Sequence, residues 1–188
     1  SRVVVLPCSI SEQQEQLGLS LSLPNARIGE PLRVLFIGRL DSYKRLDWLM
    51  ESLCTLTSPW TLVVVGDGPN RRTFEQLAQR LFPELSCVRF LGRLSETAKF
   101  EQLADSDVLV LPSDCCNEAF GVVQLEAMSS GRIALAFDKS RSGMSWVSSL
   151  SGLPWSRSPD GLSEVLQWLA DHPSLRQQLC AQSRKRYC

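Results

Sequence analysis

The chain alternates short, continuously apolar runs with segments in which apolar residues recur at helical spacing. The apolar runs are LRVLFIG (32–38), TLVVVG (61–66), CVRFLG (87–92), DVLVLP (107–112) and IALAF (133–137). Strands that are buried on both faces have this Val-, Leu- and Ile-rich composition, whereas half-exposed strands alternate apolar and polar positions. The runs therefore predict strands of a parallel sheet that is covered on both faces.

Helices are predicted between these strands. They begin near Lys44 and Arg71, and cover about Ser95 to Ala104 and Phe120 to Ser130. Local signals agree, because Ser95 can cap a helix start, Pro83 can end the preceding helix, and Gly131 suits a helix C-terminus. Repeated strand-helix alternation implies right-handed crossovers, and so an α/β fold with a Rossmann-like, doubly wound parallel sheet.

The remaining segments are predicted to flank this core. Residues 1–31 comprise a leading apolar strand, VVVLP, and a polar, turn-rich connector over 9–31. After Phe137 the chain is rich in Ser, Gly and Trp, which predicts a loop with one short helix. Two helices close the chain, DGLSEVLQWLA with one apolar stripe and SLRQQLCAQSRKRYC after the His172-Pro173 break. The length suits a single domain, with its core and C-terminal helices in 32–188.

The amino-acid composition argues against several classes of function. The 20 basic and 20 acidic residues balance, so no net charge attracts the chain to nucleic acid. No apolar stretch reaches the roughly 18–20 residues of a membrane span, so we expect a soluble protein. The seven cysteines include no CxxC spacing and accompany one histidine, His172, so we expect no metal site and reduced thiols of a cytoplasmic protein. The adjacent Cys115 and Cys116 are candidates for redox sensitivity.

Two candidate sites follow the first two predicted strands, at the sheet edge where doubly wound folds bind ligands. In GRLDSYK, a strand ends on Gly38, and Arg39 and Lys44 flank the turn into a helix. These two cations could neutralise a diphosphate, or could belong to a solvated basic loop. The turn Gly66-Asp67-Gly68-Pro69 allows close backbone approach, but turns of this composition are common.

The third candidate site contains two glutamates. Glu118 and Glu126 lie eight positions apart around a predicted helix start, with Glu126 in the second turn of that helix. Carboxylates accept hydrogen bonds from vicinal hydroxyls, and the backbone N–H groups near Gly121 could bind phosphate. Two glutamates on a solvated helix face are the alternative. A fourth strand end, Leu91 to Ser95, could offer backbone groups to a nucleotide base.

In combination these motifs carry a family resemblance. The segments GRLDSYKRLDWL, VVVGDGPNR, VRFLGRLS, DVLVLPS and EAFGVVQLEAMSSG follow one another in that order. The chain resembles retaining glycosyltransferases of family 4, which have the GT-B fold, over most of residues 32–187. The resemblance implies the C-terminal, nucleotide-sugar-binding half of that fold, and transfer of a sugar from a nucleotide diphosphate sugar to an acceptor hydroxyl without a metal or other cofactor. UDP- or GDP-linked donors are expected.

The resemblance also implies roles for individual residues. It implies that Arg39, Lys44 and Glu118 are catalytic. The two cations would hold the diphosphate, and Glu118 would contact the donor sugar. Donor-binding roles fall to Gly38, Arg93, Leu94, Phe120, Gly121, Val122, Val123 and Glu126. Within this set, the backbone of Gly121 to Val123 completes the diphosphate site, Glu126 binds the ribose, and the backbone near Arg93 lies by the base.

The chain departs from the family pattern in two respects. Trp146 stands about where family members carry a glutamate after the fifth strand. The resemblance also implies that an acceptor-binding N-terminal domain is absent from these residues and that the last helix is cut at Cys188. We therefore expect this chain to bind nucleotide without turnover. The missing half would bind a sugar or lipid-linked acceptor and could associate peripherally with a membrane. The alternatives are a nucleotide-sugar epimerase of the same fold and a catalytically silent binding module.

Overall fold

The computed structural model, which describes residues 8–83, 87–114, 118, 120–139 and 142–188, contains a parallel five-stranded sheet. Its strands are β1 (Leu32–Ile37), β2 (Trp60–Val65), β3 (Val88–Gly92), β4 (Val108–Leu111) and β5 (Ile133–Ala136). All neighbouring strands are parallel, and their order is β3-β2-β1-β4-β5. This order places β1 and β4 side by side and confirms the doubly wound α/β fold.

Helices cover both faces of the sheet. They are α1 (Glu12–Ser20), α2 (Leu46–Cys54), α3 (Arg71–Leu81), α4 (Glu96–Asp105), α5 (Val123–Ser129), α6 (Met144–Val147), α7 (Leu162–Asp171) and α8 (Pro173–Tyr187). One apolar core joins α2, α3 and α7 to alternate strand residues such as Val34 and Val110. The other joins α4 and α5 to the intervening residues, such as Leu35 and Leu109. Both faces of each central strand are thus buried, as the apolar runs predict.

Several local predictions are confirmed. The Ser95 hydroxyl accepts a hydrogen bond from the backbone N of Ala98 and so caps α4. Gly131 follows α5 with φ +65°, a conformation that favours glycine. The loop after β5 contains one short helix, α6. Within the described ranges, no helix combines the length and apolarity needed to cross a bilayer.

The prediction that residues 9–31 form only a polar connector is wrong, because this segment contains α1. The helix starts with a capping box: the Ser11 hydroxyl accepts from the backbone N of Gln14, whose side chain in turn accepts from the backbone N of Ser11. The helix packs against α4 and α5. The leading VVVLP run lies outside the described residues.

Two predicted helix starts also differ from the structure. The segment near Lys44 is a 3₁₀ turn over Ser42–Lys44, and α2 begins only after Arg45, which has φ +50°. The helix predicted from Phe120 begins at Val123, because the chain turns at Gly121 with φ +70°. Glu126 therefore lies in the first turn of α5 rather than the second.

Candidate active site

The site lies where the chain leaves β1 and β4, at the carboxyl edge of the sheet. These neighbouring strands lead to helices on opposite faces, so a crevice opens between their loops. The loops are tied together, because the backbone N of Asp114 donates to the Tyr43 carbonyl at 3.0 Å. The Arg45 guanidinium also donates to the Asp114 carboxylate at 3.2 Å. Residues from two distant parts of the sequence are therefore held in one place.

Lys44 and Glu118 form an ion pair in this crevice, although 74 positions separate them. Lys44 is buried, with 8% of its surface exposed, and its ammonium also lies 5.3 Å from the centre of the Tyr43 ring. Glu118 is anchored by its carbonyl, which accepts from the Ser142 hydroxyl at 2.7 Å. The structure thus brings together two of the residues predicted to be catalytic, and holds a cation beside a carboxylate away from bulk water.

The glycine-rich turn after β2 supports the loop after β1. The backbone N of Gly38 donates to the Val65 carbonyl at 3.0 Å, and the backbone N of Leu40 donates to the Asp67 carbonyl at 3.1 Å. A Cβ at Gly66 would lie 1.9 Å from the Gly38 carbonyl oxygen. Glycine is required here by the close approach of the two loops, so this motif positions the residues of the site.

Arg39 is the third residue predicted to be catalytic. Its side chain is 68% exposed and pairs with Asp41 at 3.3 Å. The structure therefore places Arg39 at the solvent-facing rim, unlike the buried Lys44. A flexible, exposed guanidinium can turn toward an anion that enters the crevice.

Glu126 is buried, with 5% of its surface exposed, and is held through one carboxylate oxygen. Its Oε1 accepts from the Lys99 ammonium at 2.8 Å and from the Gln14 amide at 2.9 Å. Its Oε2 is buried and has no hydrogen-bond partner among the described residues. Burial raises the pKa of Glu126 above its ordinary value, and the neighbouring Lys99 opposes that rise.

Lys99 and Gln14 are site residues that the sequence analysis missed. Lys99 also pairs with Glu96 at 2.9 Å, and Gln14 donates to the same carboxylate at 2.9 Å. The four side chains form one network that joins α1, α4 and α5. The signal for Gln14 was available, since Ser11 followed three residues later by Gln14 is a capping-box pattern. Nothing in the sequence links Lys99 to Glu126, which lies 27 positions away.

The other predicted donor-binding residues differ in their exposure. Arg93 and Val122 are exposed, Leu94, Phe120 and Val123 are half-buried, and Gly121 is buried. A Cβ at Gly121 would lie 2.5 Å from a Leu111 methyl group, so the turn before α5 requires glycine for lack of space as well as for its φ. Cys115 and Cys116 lie outside the described residues, and their predicted redox sensitivity remains a prediction.

Trp146 lies on α6, where the family pattern predicts a glutamate. Its side chain is 62% exposed, and the Arg186 guanidinium lies 5.5 Å from its ring centre. Beside it is a cavity of about 350 Å³ that Phe120 and Tyr187 also line. This part of the molecule therefore presents three aromatic side chains, and the carboxylate that lines the cavity is that of Glu15 on α1.

Known proteins resemble this chain in sequence and in fold. The sequence profile of the family described as glycosyl transferases group 1 matches residues 31–170. The sulfoquinovosyl transferase SQD2 of Arabidopsis thaliana is 34% identical over 113 residues, which are 60% of this chain and 20% of that protein. The GDP-mannose-dependent alpha-(1-6)-phosphatidylinositol dimannoside mannosyltransferase of Mycobacterium tuberculosis is 26% identical over 160 residues, or 82% of this chain and 40% of that protein.

A solved structure extends the similarity to nearly the whole chain. WaaG, a glycosyltransferase involved in lipopolysaccharide biosynthesis, is 27% identical and superposes with a TM-score of 0.73. The match covers 96% of this chain and 50% of WaaG. The chain thus spans half of this solved relative, and between 20% and 40% of the two curated relatives above.

Proposed function

Because the chain belongs to the glycosyl transferases group 1 family, we propose that it is the donor-binding domain of a retaining GT-B glycosyltransferase. Such an enzyme would move a sugar from a nucleotide diphosphate sugar to an acceptor hydroxyl. The observation that carries this proposal is the partly buried ion pair of Lys44 and Glu118 at the switch point between β1 and β4. It supplies one cation for a diphosphate and one carboxylate for a sugar at the place where this fold binds ligands.

Donor binding would redistribute the charges of this ion pair. The diphosphate carries more negative charge than one carboxylate, so it would replace Glu118 as the partner of Lys44. Arg39 would turn inward from Asp41 and complete the neutralisation. Glu118 would then be available to accept hydrogen bonds from hydroxyls of the donor sugar.

The same cations would assist the reaction. The bond between the anomeric carbon and the diphosphate oxygen breaks, and its electron pair leaves with the nucleoside diphosphate. The acceptor oxygen forms the new bond on the same face of the sugar, and its proton passes to the departing diphosphate. Lys44 and Arg39 stabilise the charge that develops on the leaving group, which is the contribution a metal ion makes in other enzymes.

The nucleoside would lie along α5 and the end of β3. Glu126 would accept from the ribose hydroxyls, the backbone of Gly121 to Val123 would contact the diphosphate, and the backbone of Arg93 and Leu94 would contact the base. The mycobacterial relative is GDP-mannose-dependent by name, which supports a nucleoside diphosphate sugar as the class of donor.

The acceptor would be bound by a second domain, and we expect this chain alone to bind the donor without transferring the sugar. A sugar or lipid-linked acceptor suits the proposal, as does a cytoplasmic enzyme that reaches a membrane through that second domain. The relatives reported above are sugar transferases, so they give the epimerase alternative no support.

Calorimetric titration with UDP, GDP and ADP tests the proposal. We expect saturable binding of one nucleotide, weakened by Lys44→Ala and by Glu126→Ala. The exposed Lys185→Ala and Glu101→Ala are matched controls and should bind like the wild type. A ligand at a hundred times its Kd should also stabilise the fold by about 2.7 kcal/mol. Failure of all three nucleotides to bind would favour a silent module instead.

A further inference from the structure

The network around Glu126 assigns a function to Lys99 that goes beyond the donor contacts described above. We propose that Lys99 is a positioning residue for the nucleoside: it binds Oε1 of Glu126 and thereby leaves Oε2 as the oxygen that accepts from a ribose hydroxyl. This inference rests on the proposed function, because it takes Glu126 as the ribose-binding residue.

The asymmetry of the Glu126 carboxylate is the first support. Lys99 and Gln14 both donate to Oε1, at 2.8 Å and 2.9 Å, and come from different helices. Oε2 is buried without a partner among the described residues. A buried polar atom without a hydrogen bond costs free energy, and a hydroxyl that reached Oε2 would remove that cost.

The charges around Glu126 are the second support. The charged groups that face it from α4 are Lys99 and Glu96, and they have opposite effects on its ionisation. Lys99 is mostly buried in contact with both carboxylates. Without Lys99, burial and Glu96 would both favour the protonated form of Glu126.

The other elements packed against α5 offer no substitute for Lys99. On α1, Glu15 accepts from the Tyr187 hydroxyl of α8 at 2.8 Å, and Glu12 accepts from the Gln16 side chain at 3.2 Å. The arginines of α8 donate to backbone carbonyls, namely Arg176 to Leu169 of α7, Arg184 to Leu21 after α1, and Arg186 to Val147 of α6. The strands β4 and β5 and the helix α6 contain no ionisable side chain.

A comparison of a ribonucleotide with its 2′-deoxyribonucleotide tests the inference, because the two ligands differ only in a ribose hydroxyl. The affinities of UDP and 2′-deoxy-UDP are measured at pH 6 and at pH 8.5. If GDP binds more tightly than UDP, GDP and 2′-deoxy-GDP are used instead. In the wild type we expect the ribonucleotide to bind at least about tenfold more tightly at both pH values, as a hydrogen bond to a charged group allows. In Lys99→Met this ratio should fall, and should fall further at pH 6 than at pH 8.5, because the pKa of Glu126 rises without Lys99.

Two control variants separate positioning from folding. Lys99→Arg keeps the charge and should keep the ratio, and the exposed Lys185→Met should leave it unchanged. Without any ligand, the pKa of Glu126 followed by carbon-13 NMR should rise in Lys99→Met and should stay near the wild-type value in Lys99→Arg.

The outcomes distinguish this inference from the proposed function. If Glu126→Gln loses the ribose preference while Lys99→Met keeps it at both pH values, the function stands and the inference is wrong. Equal weakening of both nucleotides by Lys99→Met, independent of pH, would also overturn it. If the wild type and Glu126→Gln show the same preference, the ribose-binding role of Glu126 fails, and the inference fails with it.

Discussion

Two lysine-glutamate pairs dominate the site at the scale of single residues. Lys44 pairs with Glu118, and Lys99 pairs with Glu126. Each pair places a cation against a carboxylate away from bulk water, where loss of one member leaves an uncompensated charge. The two pairs differ in what a ligand would do to them, since a diphosphate would compete for Lys44 while a ribose would add a donor to Glu126.

Replacement of Lys44 should therefore affect the diphosphate and leave the nucleoside unaffected. We expect Lys44→Ala to weaken UDP or GDP binding by about 10- to 100-fold, as loss of a hydrogen bond to a charged group implies. Binding of the matching nucleoside should not change. Calorimetry measures both, with Lys185→Ala as the exposed control. A variant that binds the diphosphate normally would contradict the assignment of Lys44.

Glu126 makes the stability of the fold depend on pH. Burial raises its pKa above the ordinary 4.5, so between these two values the folded state binds more protons than the unfolded state. Its contribution to the free energy of unfolding therefore falls as pH rises through this window. We expect the free energy of unfolding of the wild type, relative to that of Glu126→Gln, to fall as pH rises above 4.5. Urea denaturation at several pH values measures the effect, and a constant difference would contradict it.

At the scale of elements, three arginines bind the carbonyls at helix C-termini. Arg132 donates to the carbonyls of Leu103 and Ala104 in α4 at 2.7 and 2.8 Å. The corresponding bonds at α7 and α1 run from Arg176 to Leu169 and from Arg184 to Leu21, each at 2.8 Å. Carbonyls in a last helical turn lack partners within the helix, and positive charge there is favourable.

The buried Arg132 should be costly to remove. Arg132→Met would remove the donor to the Ala104 carbonyl, while Ser106 would still donate to the Leu103 carbonyl. We therefore expect a loss of about 1–3 kcal/mol in the free energy of unfolding. Denaturation in urea measures this loss. The exposed Arg72→Met is the matched control and should change stability by no more than about 0.5 kcal/mol. Equal effects of the two substitutions would contradict the capping role.

The turn after β2 should tolerate no side chain at Gly66. Gly66→Ala would force the turn away from the Gly38 carbonyl, and should cost about 3 kcal/mol or more and weaken nucleotide binding. Gly152 is the control, because it has φ +83° but nothing within 4 Å of an added Cβ. Gly152→Ala should cost only about 1–2 kcal/mol, from the backbone conformation alone, and should leave binding unchanged. Equal binding losses would show that the turn does not position the β1 loop.

The strands and helices also show how much of the fold could be predicted from the sequence. Continuous apolar runs identified all five strands, because burial on both faces leaves a clear pattern. Helix α1 was missed because EQQEQLGLS is mostly polar and has no apolar stripe. Its N-terminus is stabilised by the capping box. This is a short-range signal within a segment that otherwise has the composition of a connecting loop. The missed helix contributes Gln14, so part of the site was missed with it.

Within the site, motif residues were predictable and their partners were not. Glu118, Glu126 and Lys44 belong to local patterns that can be read along the chain. The pairing of Lys99 with Glu126 depends on the packing of α4 against α5, which no spacing in the sequence encodes. Likewise, the position of Arg39 at the rim follows from its pairing with Asp41, and a sequence motif carries no such information.

At the scale of the whole molecule, the strand order creates the site. Lys44 and Glu118 meet because β1 and β4 are neighbours at the centre of the sheet, although β2 and β3 lie between them in the sequence. The resulting crevice is open at the edge where, under the proposed function, a second domain would supply the acceptor. An assay with nucleotide sugar and candidate acceptors tests this claim. Sugar transfer by this chain alone would contradict the proposal that a second domain is needed to bind the acceptor.

The structure of the chain with the bound nucleoside diphosphate is the most direct test of the account. We predict the diphosphate beside Lys44 and Arg39, with Glu118 released from Lys44, and the ribose within hydrogen-bond distance of Glu126. A nucleotide bound elsewhere on the molecule, or one that leaves the pairing of Lys44 and Glu118 intact, would contradict the proposed site.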